Sequence, residues 1–413
     1  MKTDSIEVGR VLQDSRRFTV PIYQRQYAWR EDRLQPFLDD LFGKATELMD
    51  SIPRFQHYMG ALILSPGADG YSVGQLSTVQ VVDGQQRLTT FLLFLAALRS
   101  VAEEKGVASL VERLEVYIFH DARMAPPDAS LADRARLLPT PSDREIFSDL
   151  LTKDLDSVRS LHPEYFYKNG SSKIGASPRA LLAFLYFRHQ IVEWTEFGSL
   201  KSENEGLIIA TEEVNEQEAS KVEHQRLKSL ADALLVQFKL VIISLEDGDD
   251  AQVIFETLNS RGEPLLAMDL VRNNIFHRAQ AQGEAPEKLF ETRWKPYDDP
   301  FWKADAPRAK PKRPRIDHFL SFALTAQTGQ ETSLRELYAE YRAFARPRGQ
   351  SRFDTVEAEL DALLRFNSTY ESLERLEGDP DLSWLGSGLV DQSQKMTVAA
   401  RAMAERKTVG HRS

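Results

Sequence analysis

Three polar clusters hold the residue types from which a reactive or binding site could be built. The first, Asp83-Gly84-Gln85-Gln86-Arg87, lies in VVDGQQRLTTFLLFLAALR, between a pair of valines and an apolar run that continues to Leu98. A helix entered here leaves its first N–H groups without intrahelical partners. One use of the cluster is structural: Asp83 caps the helix, Gln86 reaches back to the Asp83 N–H, and Arg87, four residues on, pairs with the carboxylate. The other is anion recognition: the N–H groups and the positive helix end face a phosphate, Gly84 lets the backbone approach closely, and Arg87 adds charge. Asp83 suits the second use only if it holds a cation, accepts from a ribose hydroxyl or turns Arg87 toward the ligand. Local chemistry leaves both uses open.

The second cluster, PIYQRQYAWR at Pro21–Arg30, reads as an extended segment, because Pro21 keeps its predecessor out of the α region and aromatics favour pleated structure. Alternation then sets Tyr23, Arg25, Tyr27 and Trp29 on one face, an aromatic and cationic surface suited to stacking on bases or gripping phosphate. The competing use is burial of the aromatics, with Arg25 paired to a carboxylate. The third cluster is FETLNSRGEPL. On a helix, Glu256 and Asn259 share a face, and Arg261 and Gly262 fall just past its end, where glycine commonly stops a helix. It reads either as the polar wall of a site or as a capped helix with a solvated face.

The elements that must position these clusters follow from periodicity. EDRLQPFLDDLFGKATELM sets Leu34, Phe37, Leu38, Leu41 and Phe42 at helical spacing behind an acidic opening. HYMGALILSP and STVQVVDG are β-rich runs able to pair, and the Asp83 cluster follows the second directly. After a short helical start, residues 1–98 therefore read as strand, helix, strand, strand, helix, a compact α/β unit. Residues 99–235 carry three helical patterns, interrupted by the charged stretch Lys201–Glu223. Phe238–Leu245 restores strand character and is expected to rejoin the first sheet, before a helix that runs to Asn259. Beyond residue 279 the pattern is again helical, with no internal repeat.

A chain of 413 residues, 42% hydrophobic and 28% charged, is expected to fold as two domains or as one core with large helical insertions. Its lack of cysteine excludes disulfides, thiolate metal sites and cysteine nucleophiles. The polar start MKTDSIEVGR and the short apolar run Phe91–Leu98 suit neither a signal peptide nor a membrane span, so a cytoplasmic location is expected. The net charge of -10 argues against indiscriminate coating of nucleic acid. The densest basic patch, RAKPKRPRIDHF with Arg308, Lys310, Lys312, Arg313 and Arg315, reads as a solvated linker or a local contact.

Together the three clusters resemble the N-terminal domain of the GmrSD-type modification-dependent restriction endonucleases, a family with a ParB/sulfiredoxin-like core that includes phosphorothioate-sensing members. The motifs P-x-Y-Q-R-x-Y-x-W at Pro21–Trp29, V-D-G-Q-Q-R-L-T-T at Val82–Thr90, F-E-T-L-N-x-R-G at Phe255–Gly262 and D-L-x-x-N at Asp269–Asn273 occur in the family's order. Departures fall at Leu266, Ala267 and Arg272, around the start of the helix after the third motif. The resemblance implies an α+β fold: a small mixed-sheet core from 1–98 and 236–278, a large helical insertion over 99–235, and a helical C-terminal region over 279–413.

It also implies an NTPase that uses GTP or ATP with Mg2+, senses modified DNA (phosphorothioate or glucosylated hydroxymethylcytosine) and controls an HNH nuclease. Asp83, Gln86 and Arg87 become the catalytic set. Gly84, Gln85, Gln86, Arg87, Thr89, Glu256, Asn259 and Arg261 become the nucleotide site, and Tyr23, Gln24, Arg25, Tyr27, Trp29 and Arg30 the DNA contact. The eight histidines lack the short His/Asn/His clustering of a ββα-metal nuclease, so the cutting domain is expected in a partner subunit or elsewhere in a longer protein. Two alternatives stand beside this one: a catalytically inert DNA-binding adaptor using Arg25 and Arg87, and a metal-dependent DNase with Asp83 and Glu256 as ligands. The oligomeric state stays open, a homodimer among the options.

Overall fold

The computed structural model describes residues 2–22, 24–50, 55–67, 76–197, 216–246, 267–306 and 312–376. Two compact units form, one from Met1–Pro21 and Arg25–Ala251, the other from Ile22–Gln24 and Gln252–Ser413. The architecture is α+β.

The first unit is built on six strands: β1 (Lys2–Glu7), β2 (Arg17–Thr19), β3 (His57–Pro66), β4 (Thr78–Asp83), β5 (Leu137–Leu138) and β6 (Phe238–Ser244). Their order across the sheet is β1-β6-β3-β4-β2-β5. β1 runs antiparallel to β6 and β3 antiparallel to β4, while β3–β6, β4–β2 and β2–β5 are parallel. The strand at Phe238 rejoins the first sheet as its composition suggests. The helical start does not hold as read: Lys2–Glu7 is a strand, and the short helix α1 (Val8–Leu12) follows it.

α2 (Glu31–Met49) has the range its periodicity implies and buries Leu34, Phe37, Leu38, Leu41 and Phe42. α3 (Gln85–Glu104) is buried at every residue from Leu88 to Ala102, the signature of a helix enclosed on all sides. Around it stand α4 (Ala108–Ile118), α5 (Pro141–Thr152), α6 (Leu155–Leu161), α7 (Arg179–Phe197) and α8 (Glu216–Asp232). Phe37 is the hub: its ring centroid lies 5.9 Å from Phe91 and Phe94, 5.8 Å from Phe187 and 6.0 Å from Phe238. This cluster joins α2, α3, α7 and β6, and so fixes where α3 begins relative to the sheet.

The second unit is helical among its described residues, with helices Ala267–Ala281, Arg315–Thr328, Leu337–Ala345, Val356–Leu364 and Asn367–Leu376. Its core is aromatic, with Phe276, Trp294, Tyr297, Trp302, Phe319 and Tyr370 buried. Arg308 and Lys310 of the basic stretch lie outside the described residues. Arg313 sits 3.4 Å from Asp317, and Arg315 lies 3.2 Å from Glu374 and over the Phe301 ring, so both serve the fold.

Asp317 is fully buried and accepts the Met268 N–H in the first turn of Ala267–Ala281. Burial, opposed by that N–H and by Arg313, pushes its carboxyl up to about 6. A raised carboxyl means that the folded state holds a proton the unfolded chain has released. The contribution of Asp317 to stability is therefore full below its ordinary value of 3.8 and is lost as the pH rises through about 6. Asp317→Asn is expected to remove this loss, so that denaturant midpoints of variant and wild type diverge between about pH 4 and pH 7. Parallel curves over that range would refute it.

Candidate functional site

β4 ends at Asp83, and Gly84 turns the chain into α3. Gly84 has φ +95, and a Cβ there would stand 2.9 Å from Leu62 Cδ1 and 3.0 Å from the Ala61 carbonyl oxygen. Only glycine fits both the conformation and the space. The N-cap of α3 is this glycine, and no cap side chain engages the first turn.

The Asp83–Gln86 capping box is therefore not formed, and the reason lies in Gln86. Its side chain, 8% exposed, turns away to a distant segment: Oε1 accepts the Ala28 N–H at 2.8 Å and Nε2 donates to the Gln26 carbonyl at 3.1 Å. The Arg87–Asp83 pair does form, at 3.8 Å. Arg87 Nη1 also donates to the Ala61 carbonyl at 2.7 Å, laying the guanidinium across β3. Gly60 makes room for it: at φ +97, a Cβ there would meet the guanidinium at 3.3 Å. Gly60 falls where the β3–β6 register shifts, between Tyr58 and Ala61.

The segment Arg25–Arg30 is not a strand, which corrects the alternating aromatic face read from its sequence. β2 stops at Thr19, the Val20 N–H still donates to the Leu138 carbonyl, and from Gln26 to Ala28 the backbone is held by side chains. Besides the two bonds to Gln86, the Tyr27 N–H donates to Asp143 Oδ2 at 2.8 Å, and Asp143 also takes the Thr140 hydroxyl at 3.0 Å. The Tyr27 hydroxyl lies 2.8 Å from Thr90 Oγ1, whose own proton goes to the Gln86 carbonyl, so Tyr27 is the donor. Tyr27 is 4% exposed and belongs to the core, where burial raises its phenol above the usual range. Arg30 is exposed, Arg25 and Trp29 are half-buried, and Gln24 is buried.

The structure thus brings Asp83, Gly84, Gln85, Gln86, Arg87 and Arg25–Arg30 to one end of α3. Thr89, one turn in, is buried and donates its hydroxyl to the Gln85 carbonyl. Tyr23, Glu256, Asn259 and Arg261 lie outside the described residues. Asp269 and Asn273 of the last motif are buried in the second unit, where Asp269 pairs with Arg272 at 2.9 Å. The sequence assigns no role at the site to Thr90, Thr140, Asp143, Gly60 or Ala61. Thr140-Pro141-Ser142-Asp143 carries a helix-start signal, but its tie to Tyr27, 116 residues away, leaves no local trace.

The residues at this end of α3 fit a phosphate. The helix opens with its first-turn N–H groups uncapped by a side chain, and a half-buried guanidinium stands beside it; Gly84 itself is packed against β3. Asp83, half-buried at the same turn, is placed to hold a cation or to keep Arg87 oriented. Among the described residues, no group of three or more His, Asp or Glu side chains is gathered as a metal site. Nor is any described helix long and apolar enough to cross a membrane.

The chain belongs to the family described as GmrSD restriction endonuclease, N-terminal domain, whose model matches residues 8–276, and it is accordingly a component of a restriction system. No curated protein matches the chain.

Proposed function

We propose that the chain is the nucleotide-binding, nucleotide-hydrolysing sensor of a restriction system directed at modified DNA, acting with an HNH nuclease domain or subunit. The observation that carries this is the uncapped start of α3 with Arg87 laid beside it by Ala61 and Gly60. The phosphates of GTP or ATP would sit on the first-turn N–H groups of Gln85–Arg87, with Arg87 compensating their charge. Mg2+, held with Asp83, would neutralise the phosphate oxygens during hydrolysis. Gln86 takes a positioning role, since both ends of its amide hold the 25–30 segment. Arg25, Trp29 and Arg30, with Tyr23 and Gln24, are the residues assigned to DNA. From the family resemblance, nucleotide binding is also proposed for Glu256, Asn259 and Arg261, which lie outside the described residues.

Arg87→Ala is expected to lower GTP or ATP turnover by about tenfold or more. The test measures turnover by the full chain with unmodified, phosphorothioated and glucosylated duplexes. Coupling of the two sites must be reciprocal, so the modified duplex that alters turnover should bind more tightly or more weakly by the factor its presence imposes on nucleotide affinity. Unchanged turnover in the variant would sink the role of Arg87.

A further inference from the structure

A separate pocket lies in the first unit, at the β5 edge of the sheet. A cavity of about 420 Å³ opens between β5, α5 and the turn Ala132–Arg134, and its charged lining is Arg17 of β2 and Arg144 of α5 together with Asp133 and Glu145. Arg17 is poorly satisfied for a guanidinium in such a place. Its Nε is buried without a hydrogen-bond partner, and Nη2 reaches only the Ala132 carbonyl, at 3.4 Å. Asp133 is near enough to favour its charge, yet that carboxylate accepts the Ser130 N–H at 2.9 Å and the Ser130 hydroxyl at 2.6 Å. Among the described residues, no carboxylate comes within ion-pairing distance of Arg17, and the like-charged Arg144 acts against it.

The residues behind Arg17 add positive charge. Arg136, 6% exposed, bonds only neutral acceptors, the Asp14 and Val116 carbonyls and His120 Nδ1, and its Nε also lacks a partner. His120 is held neutral by its burial and by Arg136 and Arg17. Buried guanidinium groups need an oxyanion or a full set of acceptors, and planar donors favour a bidentate one. Leu137, Phe147 and Leu151 supply an apolar part of the lining, and the volume falls within the range of small-molecule sites.

We propose that this cavity binds a small organic phosphate, its oxyanion head on Arg17 and Arg144 and its apolar body against Leu137 and Phe147. The site is separate from the Asp83–Arg87 turn and does not depend on the function proposed there. It has a route of influence: β2, which carries Arg17, pairs with β4, and α5, which carries Arg144, also carries Asp143, the anchor of Tyr27.

The test is a calorimetric and thermal-shift titration of the full chain with phenyl phosphate. Wild type should bind and melt higher in a dose-dependent way, and inorganic phosphate should bind more weakly. Arg144→Ala, at an exposed position, should weaken phenyl phosphate by about tenfold, while Arg87→Ala leaves it unchanged. Arg17→Met should abolish the shift without lowering the melting temperature of the free protein, since the charge it removes makes no ion pair within contact distance and only one long hydrogen bond. Equal binding by wild type and Arg144→Ala, loss of binding in Arg87→Ala, or an equal response to inorganic phosphate would overturn the proposal. So would a lowered melting temperature in free Arg17→Met.

Discussion

Replacing Glu359 by alanine is expected to destabilise the second unit by about 3–5 kcal/mol, the usual effect of removing one partner from a buried ion pair. Glu359 is fully buried, with Oε1 2.7 Å from Arg278 Nη2 and in close contact with the Tyr341 hydroxyl. Arg278 ties the group together, bonding Tyr341 OH at 2.8 Å and Asn274 Oδ1 at 3.0 Å. Glu359 and Tyr341 push the guanidinium above its ordinary value against the opposing effect of burial, and burial pushes the Tyr341 phenol well up, so the tyrosine is a neutral donor. Without the carboxylate a cation and a phenol are left buried against one another's needs. The double change Arg278→Met with Glu359→Leu should regain most of the loss, because it removes the uncompensated charge along with its partner. Hydrogen exchange would place the effect in Ala267–Ala281 and Val356–Leu364, leaving α3 protected. A single variant within about 1 kcal/mol of wild type would mean that the pair is not a keystone.

Elements with a clear period were legible in the chain itself. The apolar stripe of α2 marks the body of that helix, and β3, β4 and β6 are legible as short β-rich runs, the last two carrying β-branched residues. β1 gives no such signal, since KTDSIE has no apolar alternation; it is a strand because β6 offers an edge, with Lys2 opposite Ser244 and Glu7 opposite Lys239. The Pro21–Arg30 segment errs the other way. Its aromatics suggest a pleated strand, but Pro21 cannot donate to a ladder, and the tertiary partners Gln86 and Asp143 supply the backbone's hydrogen bonds instead. At the site, the Asp83–Arg87 pair was readable because i, i+4 spacing is a local rule. The partners of Gln86, 58 and 60 residues away, obey no local rule. The same residues that suggested a capping box thus form a clamp.

That clamp makes Gln86 the position with the largest expected effect on the site. Gln86→Ala removes two hydrogen bonds to backbone groups and should destabilise the first unit by about 2–3 kcal/mol. It changes no charge at the turn. If the chain hydrolyses nucleotide as proposed, turnover should even so fall by about a hundredfold, because the Arg25–Arg30 segment would lose its register over α3 and small displacements of positioning groups carry penalties of that order. Gln86→Glu separates positioning from charge. A carboxylate can still accept the Ala28 N–H but presents an acceptor to the Gln26 carbonyl, so one bond survives and the other becomes repulsive. A loss of stability at least as large as in Gln86→Ala is expected, with turnover nearer to Gln86→Ala than to wild type. Tyr27→Phe provides the control: it loses the hydroxyl bond to Thr90, about 1 kcal/mol, yet keeps both amide contacts of Gln86 and should retain most of the turnover. If Tyr27→Phe and Gln86→Ala reduce turnover equally, loosening of the core rather than placement of the segment governs the site; if Gln86→Ala turns over normally, the segment plays no part in nucleotide chemistry.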